Sequence, residues 1–427
     1  MSTQELLVRD PILGFVDLGE YDFIREIVET PLFQRLRRLN QLGFSPLIYP
    51  SACHTRFSHS IGAMHIFWRL FDRLRKFIPN DIDVDGLRKT GTATVLLHDI
   101  GHGPFSHVTE PIFGFNHDDI AKDLICQPPL SDILVKAGIN PSDLRKILEG
   151  TTPSKLAPLS QLVSSQLDVD RLDYLVRDAY FTGIGFGNID LDRIISTMIL
   201  YDKDPLKGQA VNLYKARFSL ESYILTRHLM YQAVYLHKAT RGVELVLKSI
   251  FKRAKVLKGE IEMPPELSFV SEDRSPKPEE LVVLDDNLLY AQIWHWSKAK
   301  DPILSQLCNC ILHRRLLKAI DIPWDKVAWM YESGLKLVNS VAKKKRFDSE
   351  YFCPLDNPVD TPYKPYSPKA PDEERSVITN IFVIDKDGGP KEISQVSDVV
   401  ASLSQTQYLL RLYCPEDIRE DVRKILK

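Results

Sequence analysis

Long apolar runs, a cysteine framework and an excess of charge are all missing from this sequence. None of its apolar stretches reaches the roughly 20 residues that a membrane-spanning helix requires. The first residues, 1–5, are polar and lack the apolar core of a signal peptide. The 6 cysteines of the 427-residue chain are scattered, which argues against a disulfide framework. We therefore expect a soluble, cytoplasmic protein with no membrane partner.

The near balance of charge excludes a strong overall attraction to nucleic acid. The chain carries 55 Lys and Arg against 57 Asp and Glu, a formal net charge of −2. Local basic runs occur at 248–258 and 343–346, but no aromatic side chains accompany the second run to stack on bases. Nucleic acid is therefore not indicated as a partner.

Apolar residues recur at helical spacing through most of the first 260 residues. Few segments before residue 200 alternate like strands, and residues 208–214 are expected to supply one short strand. The chain is therefore predicted to be mainly α. The spacing predicts helices at 22–43 (restarting at Pro31), 57–78, 86–98, 117–126, 131–138, 141–149, 158–180, 190–200, 218–255 and 301–318.

The composition changes after about residue 260, where Pro, Glu and Ser predict a surface loop at 262–282. A proline-rich connection at 344–375 precedes a predicted strand, Val377–Ile384, and a turn at 385–389. A second strand, Tyr408–Tyr413, and a charged amphipathic helix, Pro415–Leu426, complete the pattern. We predict three parts: a helical core (1–260), a helical extension with a surface loop (261–345), and the proline-rich connection with a small α+β C-terminal subdomain (346–427).

Histidines are concentrated in one region, because seven of the 11 lie between residues 54 and 117. His98 and Asp99 are adjacent at the predicted end of a helix, where an imidazole and a carboxylate can reach one cation. His59 begins a neighbouring helix and Asp170 lies in a later one. Two His and two Asp suit a divalent metal ion such as Mn, Fe, Co, Ni, Zn or Mg. A lone His-Asp pair is weak support, and ordinary structural histidines are the alternative.

The surrounding motifs resemble a known family. The motifs are Thr30–Arg37 continuing to Gln41-Leu42-Gly43, Arg56–Ser60, His98–His107 and Asp168–Asp178, with weaker similarity at Arg227 and Tyr235–Lys238. They resemble the HD-domain superfamily and, more narrowly, the deoxynucleoside triphosphate (dNTP) triphosphohydrolases, including the mammalian type that joins a sterile-alpha-motif to an HD domain. The resemblance covers most of the first 255 residues. It implies a mainly α fold in which an HD-domain phosphohydrolase core occupies residues 1–260.

The resemblance assigns metal and catalytic roles. The family's metal ligands fall on His59, His98, Asp99 and Asp170. His107 matches the catalytic histidine beside the scissile phosphate, and His102 and His117 match histidines that contact phosphate or sugar. Glu110 stands where the family often has an aspartate that supports the catalytic histidine. Loop-holding or helix-capping roles are the alternatives for His107 and His117.

Substrate-binding roles are implied in the same way. Arg56, Arg171 and Arg227 offer three cations to a polyphosphate, and Arg171 replaces a lysine of mammalian relatives. Tyr174 lies one turn after Asp170. Gln41 and Asp178 resemble the pair that binds the sugar 3′-hydroxyl, and Tyr235 resembles the tyrosine under the deoxyribose. Leu42 and His237 are expected to border the base.

The implied reaction is attack of metal-activated water on the α-phosphorus, with His107 protonating the nucleoside oxygen. The products are a deoxynucleoside and tripolyphosphate. Two alternatives stay open: an HD phosphohydrolase acting on other nucleotides or nucleic-acid ends, and a non-catalytic nucleotide or nucleic-acid binder.

The resemblance also implies an allosteric nucleotide site between the subunits of a dimer or tetramer. Gln34 and Arg37 match residues that contact a guanine nucleotide, and Glu29 replaces an aspartate that recognises guanine. Arg193 and Lys215 are expected to bind the phosphates of a GTP or dNTP effector. Ordinary charges on helix surfaces are the alternative.

Overall fold

A computed structural model describes residues 6–151, 157–201, 210–360, 380–385, 388–404 and 407–426. Among these residues, no helix has the combination of length and apolar character needed to cross a membrane. The chain is mainly helical with small sheets, which confirms the predicted fold class.

In the described residues of the first half, a hairpin is followed by eleven α-helices. The hairpin pairs β1 (Leu7–Asp10) with β2 (Gly14–Asp17) in antiparallel fashion. The helices are α1 (Asp22–Val28), α2 (Pro31–Arg35), α3 (Arg56–Leu74), α4 (Val84–Leu97), α5 (Glu110–Phe113), α6 (His117–Ile125), α7 (Leu130–Lys136), α8 (Pro141–Leu148), α9 (Ala157–Val163), α10 (Val169–Thr182) and α11 (Leu191–Thr197).

Two long predicted helices in this half are interrupted. The predicted restart at Pro31 is confirmed, since the Thr30 hydroxyl accepts a hydrogen bond from the Phe33 amide (3.2 Å) and caps α2. Beyond α2, however, only one 3-10 turn, Leu36–Arg38, remains of the predicted 22–43 helix. The prediction of one helix at 158–180 is wrong, because the Asp168 carboxylate accepts the Arg171 amide (2.8 Å) and starts α10 afresh.

Helix α3 lies at the centre of this half and packs against α4 and α10. Gly62 permits the approach of α10, because a Cβ there would lie 2.2 Å from Arg177 Nη2 and Asp173 Oδ1. The close contact brings the first turn of α3 beside the first turn of α10. Two of the predicted metal ligands, His59 and Asp170, occupy those turns.

The second half adds further helices. They are α12 (Arg217–Met230), α13 (Lys238–Val256), α14 (Ser268–Ser271), α15 (Pro278–Leu281), α16 (Asp286–Trp296), α17 (Pro302–Leu312), α18 (Val327–Trp329), α19 (Leu335–Lys344), α20 (Ser349–Phe352), α21 (Ile393–Val396), α22 (Asp398–Ser402) and α23 (Glu416–Leu426). Most of these helices extend the same core, whereas α18, α19 and α23 pack around a smaller second core. Helix α23 confirms the predicted C-terminal helix, whereas α16 and α19 were not predicted.

The predicted 218–255 helix is also interrupted. A π-helical turn, Tyr231–Tyr235, follows α12, and His237 then caps α13 by accepting the Ala239 amide (3.3 Å). The predicted surface loop at 262–282 is only partly at the surface, because Leu267, Phe269, Val270 and Leu281 are buried in the main core. Apolar spacing in this short stretch was too irregular to predict burial.

The described residues form four small sheets, three of which join distant parts of the chain. One has the order β3 (Met198–Leu200), β4 (Ala210–Leu213), β8 (Phe382–Ile384), β9 (Pro390–Glu392), and its β4–β8 pair is parallel. The second has the order β5 (Lys318–Asp321), β11 (Arg411–Cys414), β6 (Leu355–Asp356), and the third pairs β7 (Val359–Asp360) with β10 (Gln407–Tyr408). The hairpin of β1 and β2 is the fourth.

These strands correct several predictions. The strand at 208–214 is confirmed by β4, but the helices at 190–200 and 301–318 end early and are followed by β3 and β5. The strand at 408–413 is split between β10 and β11. Residues 377–379 of the predicted 377–384 strand and residues 361–375 of the predicted 344–375 connection lie outside the described residues. The described part of that connection is not irregular throughout, because it contains α20, β6 and β7. The three-part division of the chain stays a prediction, and the β4–β8 pair ties residues 382–384 to the first part.

Candidate functional site

Three helices bring the four predicted metal ligands together. His59 comes from α3, His98 and Asp99 follow α4, and Asp170 comes from α10. We call these four residues the His59 cluster. Asp170 Oδ1 lies 3.0 Å from His59 Nε2 and 3.6 Å from His98 Nε2. Asp99 Oδ1 lies 3.4 Å from His98 Nε2, and Asp99 Oδ2 lies 3.7 Å from His59 Nε2.

The ring orientations fit a cation at the centre of the His59 cluster. His59 Nδ1 lies 2.8 Å from Asp173 Oδ2, and His98 Nδ1 lies 2.6 Å from the Val95 carbonyl oxygen. These partners fix the Nδ1–H tautomer and leave the Nε2 lone pairs for an ion. Both Nε2 atoms are buried and have no well-aligned hydrogen bond within the described residues. The donor set supports a divalent metal site here, and the possible ligand atoms of His59, His98 and Asp170 lie within 4.8 Å of one another.

Asp173 is a functional residue that the sequence reasoning missed. Arg177 donates to both of its oxygens, Nε to Oδ2 and Nη2 to Oδ1, each at 2.8 Å, and also to Asp10 (2.8 Å). All three side chains are buried. The spacing of Asp173, one turn after Asp170 on the same helix face, was the available signal.

Neighbouring carboxylates raise the pKa of both histidines of the His59 cluster. Burial lowers the pKa of His59, but the adjacent Asp170 and Asp173 carboxylates outweigh it and raise that pKa to about 10. Burial likewise opposes the field of Asp99 and Asp170 at His98, whose pKa is raised to about 9. A bound cation would replace these protons, because imidazole binds metal only in its neutral form.

The remaining predicted catalytic residues form a second group next to the first. We call His102, His107, Glu110 and His117 the His107 cluster. Glu110 joins two members, with Oε1 2.7 Å from His107 Nδ1 and Oε2 3.0 Å from His117 Nδ1. Burial opposes ionisation of Glu110, but these two bonds hold its pKa well below the usual range. One possible ligand atom from each residue lies within 4.8 Å of the others.

The backbone between the two clusters follows an unusual path. Phe105 and Ser106 have left-handed φ angles of 53° and 56°, and Asp286 accepts the Phe105 amide (2.7 Å) and the Asn40 amide (2.9 Å). Gly101 allows α6 to approach, because a Cβ there would lie 2.2 Å from the His117 carbonyl oxygen. Strain at these positions is offset by the surrounding hydrogen bonds.

Arg56 and Arg35 are buried beside the two clusters. Arg56 pairs with Asp99 through Nη1, and its Nε donates to Ser106 Oγ (3.0 Å), so its charge is already partnered. Burial raises the pKa of Asp99, but the field of Arg56 and neighbouring histidines lowers it well below its usual range. Arg35, not assigned a role from sequence, donates to the carbonyl oxygens of His102 (2.7 Å) and Leu284 (2.7 Å).

A cavity of about 360 Å³ opens beside the His107 cluster and includes several predicted substrate residues. Its lining includes Gln41, Leu42, His107, Tyr235 and Glu244. His237 is absent from that lining and instead caps α13. The cavity is large enough for part of a nucleotide.

Asp178 and Gln41 are connected through His54, which sequence reasoning did not select. Asp178 Oδ1 lies 2.7 Å from His54 Nε2, and the Tyr235 hydroxyl donates to Asp178 Oδ2 (2.7 Å). The backbone N–H of Gln41 donates to the His54 carbonyl oxygen (3.0 Å). The histidine-rich character of residues 54–117 was the only available signal for His54.

The other predicted phosphate-binding residues lie around α10 and α12. Arg171 pairs with Asp168 and donates to the Ser165 carbonyl oxygen (2.6 Å). Tyr174 makes an edge contact with the Tyr235 ring at 6.1 Å between centroids. The Nε atoms of Arg171 and Arg227 are both buried without a hydrogen-bond acceptor among the described residues. Because the charge of Arg171 is already paired with Asp168, Arg227 is the better placed of these two arginines to receive a phosphate.

The predicted effector residues fall into two local groups. Arg37 Nε donates to Gln34 Oε1 (2.9 Å), and Glu29 pairs with Arg25 (2.9 Å) on the preceding helix. Arg193 Nε donates to the Lys215 carbonyl oxygen (3.3 Å). An effector site built from both groups stays a prediction.

Comparisons with known proteins identify the family. Residues 189–427 match the family model described as an HD associated region. The chain is 33% identical over 426 residues to the uncharacterized protein YwfO of Bacillus subtilis, covering 97% of this chain and 93% of that one.

Two further relatives carry names that describe an activity. The chain is 28% identical to the deoxynucleoside triphosphate triphosphohydrolase SAMHD1 homolog of Dictyostelium discoideum, over 79% of this chain and 64% of that protein. A phosphohydrolase from Bacteroides thetaiotaomicron superposes with a TM-score of 0.81 at 30% identity, covering 97% of this chain and 100% of that one.

Proposed function

Because the chain belongs to the HD-domain family of dNTP triphosphohydrolase-like phosphohydrolases, we propose that it hydrolyses dNTPs to deoxynucleosides and tripolyphosphate. The observation that carries this proposal is the arrangement of three neighbouring features. The His59 cluster offers donors for a divalent cation, the His107 cluster offers a proton donor, and the cavity contains the predicted sugar-binding residues.

The His59 cluster would hold the ion with His59, His98, Asp99 and Asp170 as ligands. The structure leaves the metal's identity open among Mn, Fe, Zn, Mg, Co and Ni. When bound, such an ion supplies Lewis-acid catalysis to phosphoester hydrolysis. Asp173 and the Val95 carbonyl oxygen orient the two imidazoles toward it.

His107 is the proposed general acid. Its Nδ1 is engaged by Glu110, so Nε2 is the nitrogen available to donate a proton. Its side chain is 68% exposed and forms part of the cavity wall. Water attacks the α-phosphorus, the bond from that phosphorus to the 5′-oxygen breaks, and the departing oxygen takes the His107 proton. A general acid of this kind contributes about 10²–10⁴-fold to the rate.

The deoxyribose would lie against Tyr235, which is held in place by its hydrogen bond to Asp178. Gln41 Oε1 is buried and has no hydrogen-bond donor within the described residues, so a sugar hydroxyl could donate to it. A 2′-hydroxyl would meet the fixed Tyr235 ring, which favours dNTPs over NTPs. Arg227 would bind the terminal phosphates.

Nucleotide-dependent assembly into a dimer or tetramer belongs to the same proposal. The names of the SAMHD1-like relatives support a nucleotide ligand. Glu29, Gln34 and Arg37 would contact the base of a GTP or dNTP effector, and Arg193 and Lys215 would contact its phosphates.

The decisive experiment identifies products and the bond that breaks. The purified protein is incubated with each dNTP and each NTP, with several divalent metals, in water enriched in ¹⁸O. We expect deoxynucleoside and tripolyphosphate, with ¹⁸O in the tripolyphosphate because attack occurs at phosphorus. Release of nucleoside monophosphate, incorporation of ¹⁸O into the deoxynucleoside, or no turnover would contradict the proposal.

A pair of variants assigns the acid in the same assay. His107→Ala is expected to lower kcat by about 10²–10⁴-fold. His313→Ala is the matched control, because His313 is exposed and lies outside both clusters. Equal activity of the two variants would remove His107 from the mechanism.

A further inference from the structure

The His107 cluster has the composition of a metal site as well as that of a proton relay. Three imidazoles and one carboxylate are the donor set of borderline transition metals, of which Zn²⁺ is the common example. The possible ligand atoms lie within 4.8 Å of one another. Ligand atoms about 2.1 Å from a tetrahedral ion lie about 3.4 Å from one another. The side chains of the His107 cluster would therefore have to move by about 1 Å to bind an ion.

Two of the imidazoles are already oriented as metal ligands usually are. His102 Nε2 lies 3.1 Å from Asp99 Oδ1, and His117 Nε2 lies 3.3 Å from Asp118 Oδ1. Metal-binding histidines commonly donate their second N–H to a carboxylate in this way. The rings are stacked with centroids 3.9 Å apart. His102 Nδ1 has no hydrogen-bond partner among the described residues, and an ion would replace the proton between His117 Nδ1 and Glu110 Oε2, which lie 3.0 Å apart.

An unpartnered buried atom supports the same conclusion. His102 is 1% exposed, and its Nδ1 has no hydrogen-bond partner among the described residues. Leaving a buried acceptor unpaired is unfavourable, because the atom has lost its hydrogen bonds to water and gained none in the protein. A cation is a natural partner for that lone pair, because Glu110 places a negative charge inside the same cluster.

We propose that the His107 cluster is a second metal site, distinct from the His59 cluster, and that Zn²⁺ bound there blocks hydrolysis. Binding would occupy His107 and Glu110 and so remove the proton donor. The His107 side chain is 68% exposed, so it can rotate toward the ion once its hydrogen bond to Glu110 is exchanged for the metal. The inhibitory part of this inference rests on the proposed function, whereas binding itself does not.

Metal stoichiometry tests the binding. The full chain is stripped with a chelator, titrated with Zn²⁺ and freed of unbound metal, and bound zinc is measured by elemental analysis. We expect two ions per wild-type chain, one in His107→Ala/His117→Ala and one in Asp170→Asn. His313→Ala should keep two. A wild-type chain that binds one ion, or a double variant that keeps two, would overturn the site.

The variants are chosen so that misfolding does not mimic loss of a ligand. His107 and Asp170 have side chains 68% and 31% exposed, so neither substitution opens a large buried cavity. Circular dichroism checks the fold of each variant. The single exposed change His107→Ala is measured as well, and it should weaken the second ion at least about tenfold.

Activity tests the inhibition separately. In protein carrying Mn²⁺, added Zn²⁺ should lower dNTP hydrolysis at least about tenfold, in step with the second bound ion, because a general acid supplies about 10²–10⁴-fold. An unchanged rate with that ion bound would refute inhibition. Absence of hydrolysis before zinc is added would refute the proposed function, and the stoichiometry would still decide the second site.

Discussion

At the scale of single residues, the orientation of His59 depends on a carboxylate outside the four proposed ligands. Asp173 lies 2.8 Å from His59 Nδ1 and is itself held by two hydrogen bonds from Arg177. The three buried side chains fix which ring nitrogen faces the cation. Metal affinity should therefore depend on a residue that never touches the metal.

We expect Asp173→Asn to weaken metal binding by about 10–100-fold, because the amide holds the imidazole less strongly. Activity should return at high metal concentration, whereas a variant that had failed to fold would stay inactive. The measurement is a competition titration against a fluorescent chelator. Asp81→Asn, at an exposed position, serves as the control, and equal affinities of the two variants would contradict the role.

A second residue-scale effect concerns Glu244, which lies in the cavity wall. Burial raises its pKa to about 7 from 4.5, although Arg241 opposes the shift. Between those values the unfolded chain is ionised while the folded chain keeps the proton. The contribution of Glu244 to the free energy of unfolding is therefore fully present below about pH 4.5 and is lost as the pH rises through about 7.

Raising the pH from about 5 to about 8 should cost about 2–3 kcal/mol of unfolding free energy through this group. In Glu244→Gln that part of the pH dependence should disappear, which urea denaturation at several pH values would show. Glu260→Gln changes an exposed glutamate and should leave the slope as in wild type. A Glu244→Gln slope equal to wild type would show that Glu244 ionises normally.

At the scale of helices and loops, the distance between α6 and the His98–His107 loop decides where His117 lies. Gly101 permits that distance, since an added Cβ would lie 2.2 Å from the His117 carbonyl oxygen and 2.5 Å from the Ala121 nitrogen. Backbone atoms cannot rotate away as side chains do. The close approach of α6 therefore requires glycine at position 101, and the position of Gly101 in the His98–His107 motif does not by itself explain that requirement.

Gly101→Ala is expected to cost about 1–3 kcal/mol of stability, as overpacking usually does. The rate of hydrolysis should also fall, and by more than the loss of folded protein explains, because the substitution moves His117 away from Glu110. Gly185→Ala is the matched control, since no atom lies within 4 Å of its added Cβ, and it should change stability by less than about 0.5 kcal/mol. Equal denaturation midpoints for the two variants would contradict this view of α6.

Helix interruptions are the features that local patterns failed to predict. Asp168 and His237 each cap a helix inside what periodicity predicted as one continuous helix. Both interruptions lie beside the proposed substrate site, where Asp170 and Tyr235 must point inward. Periodicity records which face is apolar, but it does not detect a cap that leaves the apolar face unchanged.

At the scale of the whole molecule, the proposed effector site is expected to lie between subunits. The residues near Glu29 and those near Arg193 form two local groups, and we propose that one effector is bound by both across a subunit interface. Arg37 is exposed and its guanidinium lies 3.5 Å from the centroid of the Phe57 ring. It is therefore accessible to a ligand at a subunit interface.

We expect GTP or a dNTP to shift the wild-type mass to that of a dimer or tetramer, measured by light scattering after size exclusion. Arg37→Ala should weaken the shift, because it loses a contact to the nucleotide. Arg145→Ala removes an exposed arginine elsewhere and should behave as wild type. A mass and rate that nucleotides leave unchanged would remove the effector from the proposal.

The sequence by itself determined the fold class, the family and which residues belong to the two clusters. Those features depend on local patterns: apolar periodicity, a His-Asp pair and glycine-containing motifs. The tertiary structure alone decided that Asp173 and His54 support the site, that Asp286 braces the Phe105 backbone, and that Arg56 is paired with Asp99. The reason is physical: these contacts join residues 43–181 positions apart, and no local pattern encodes such a pairing.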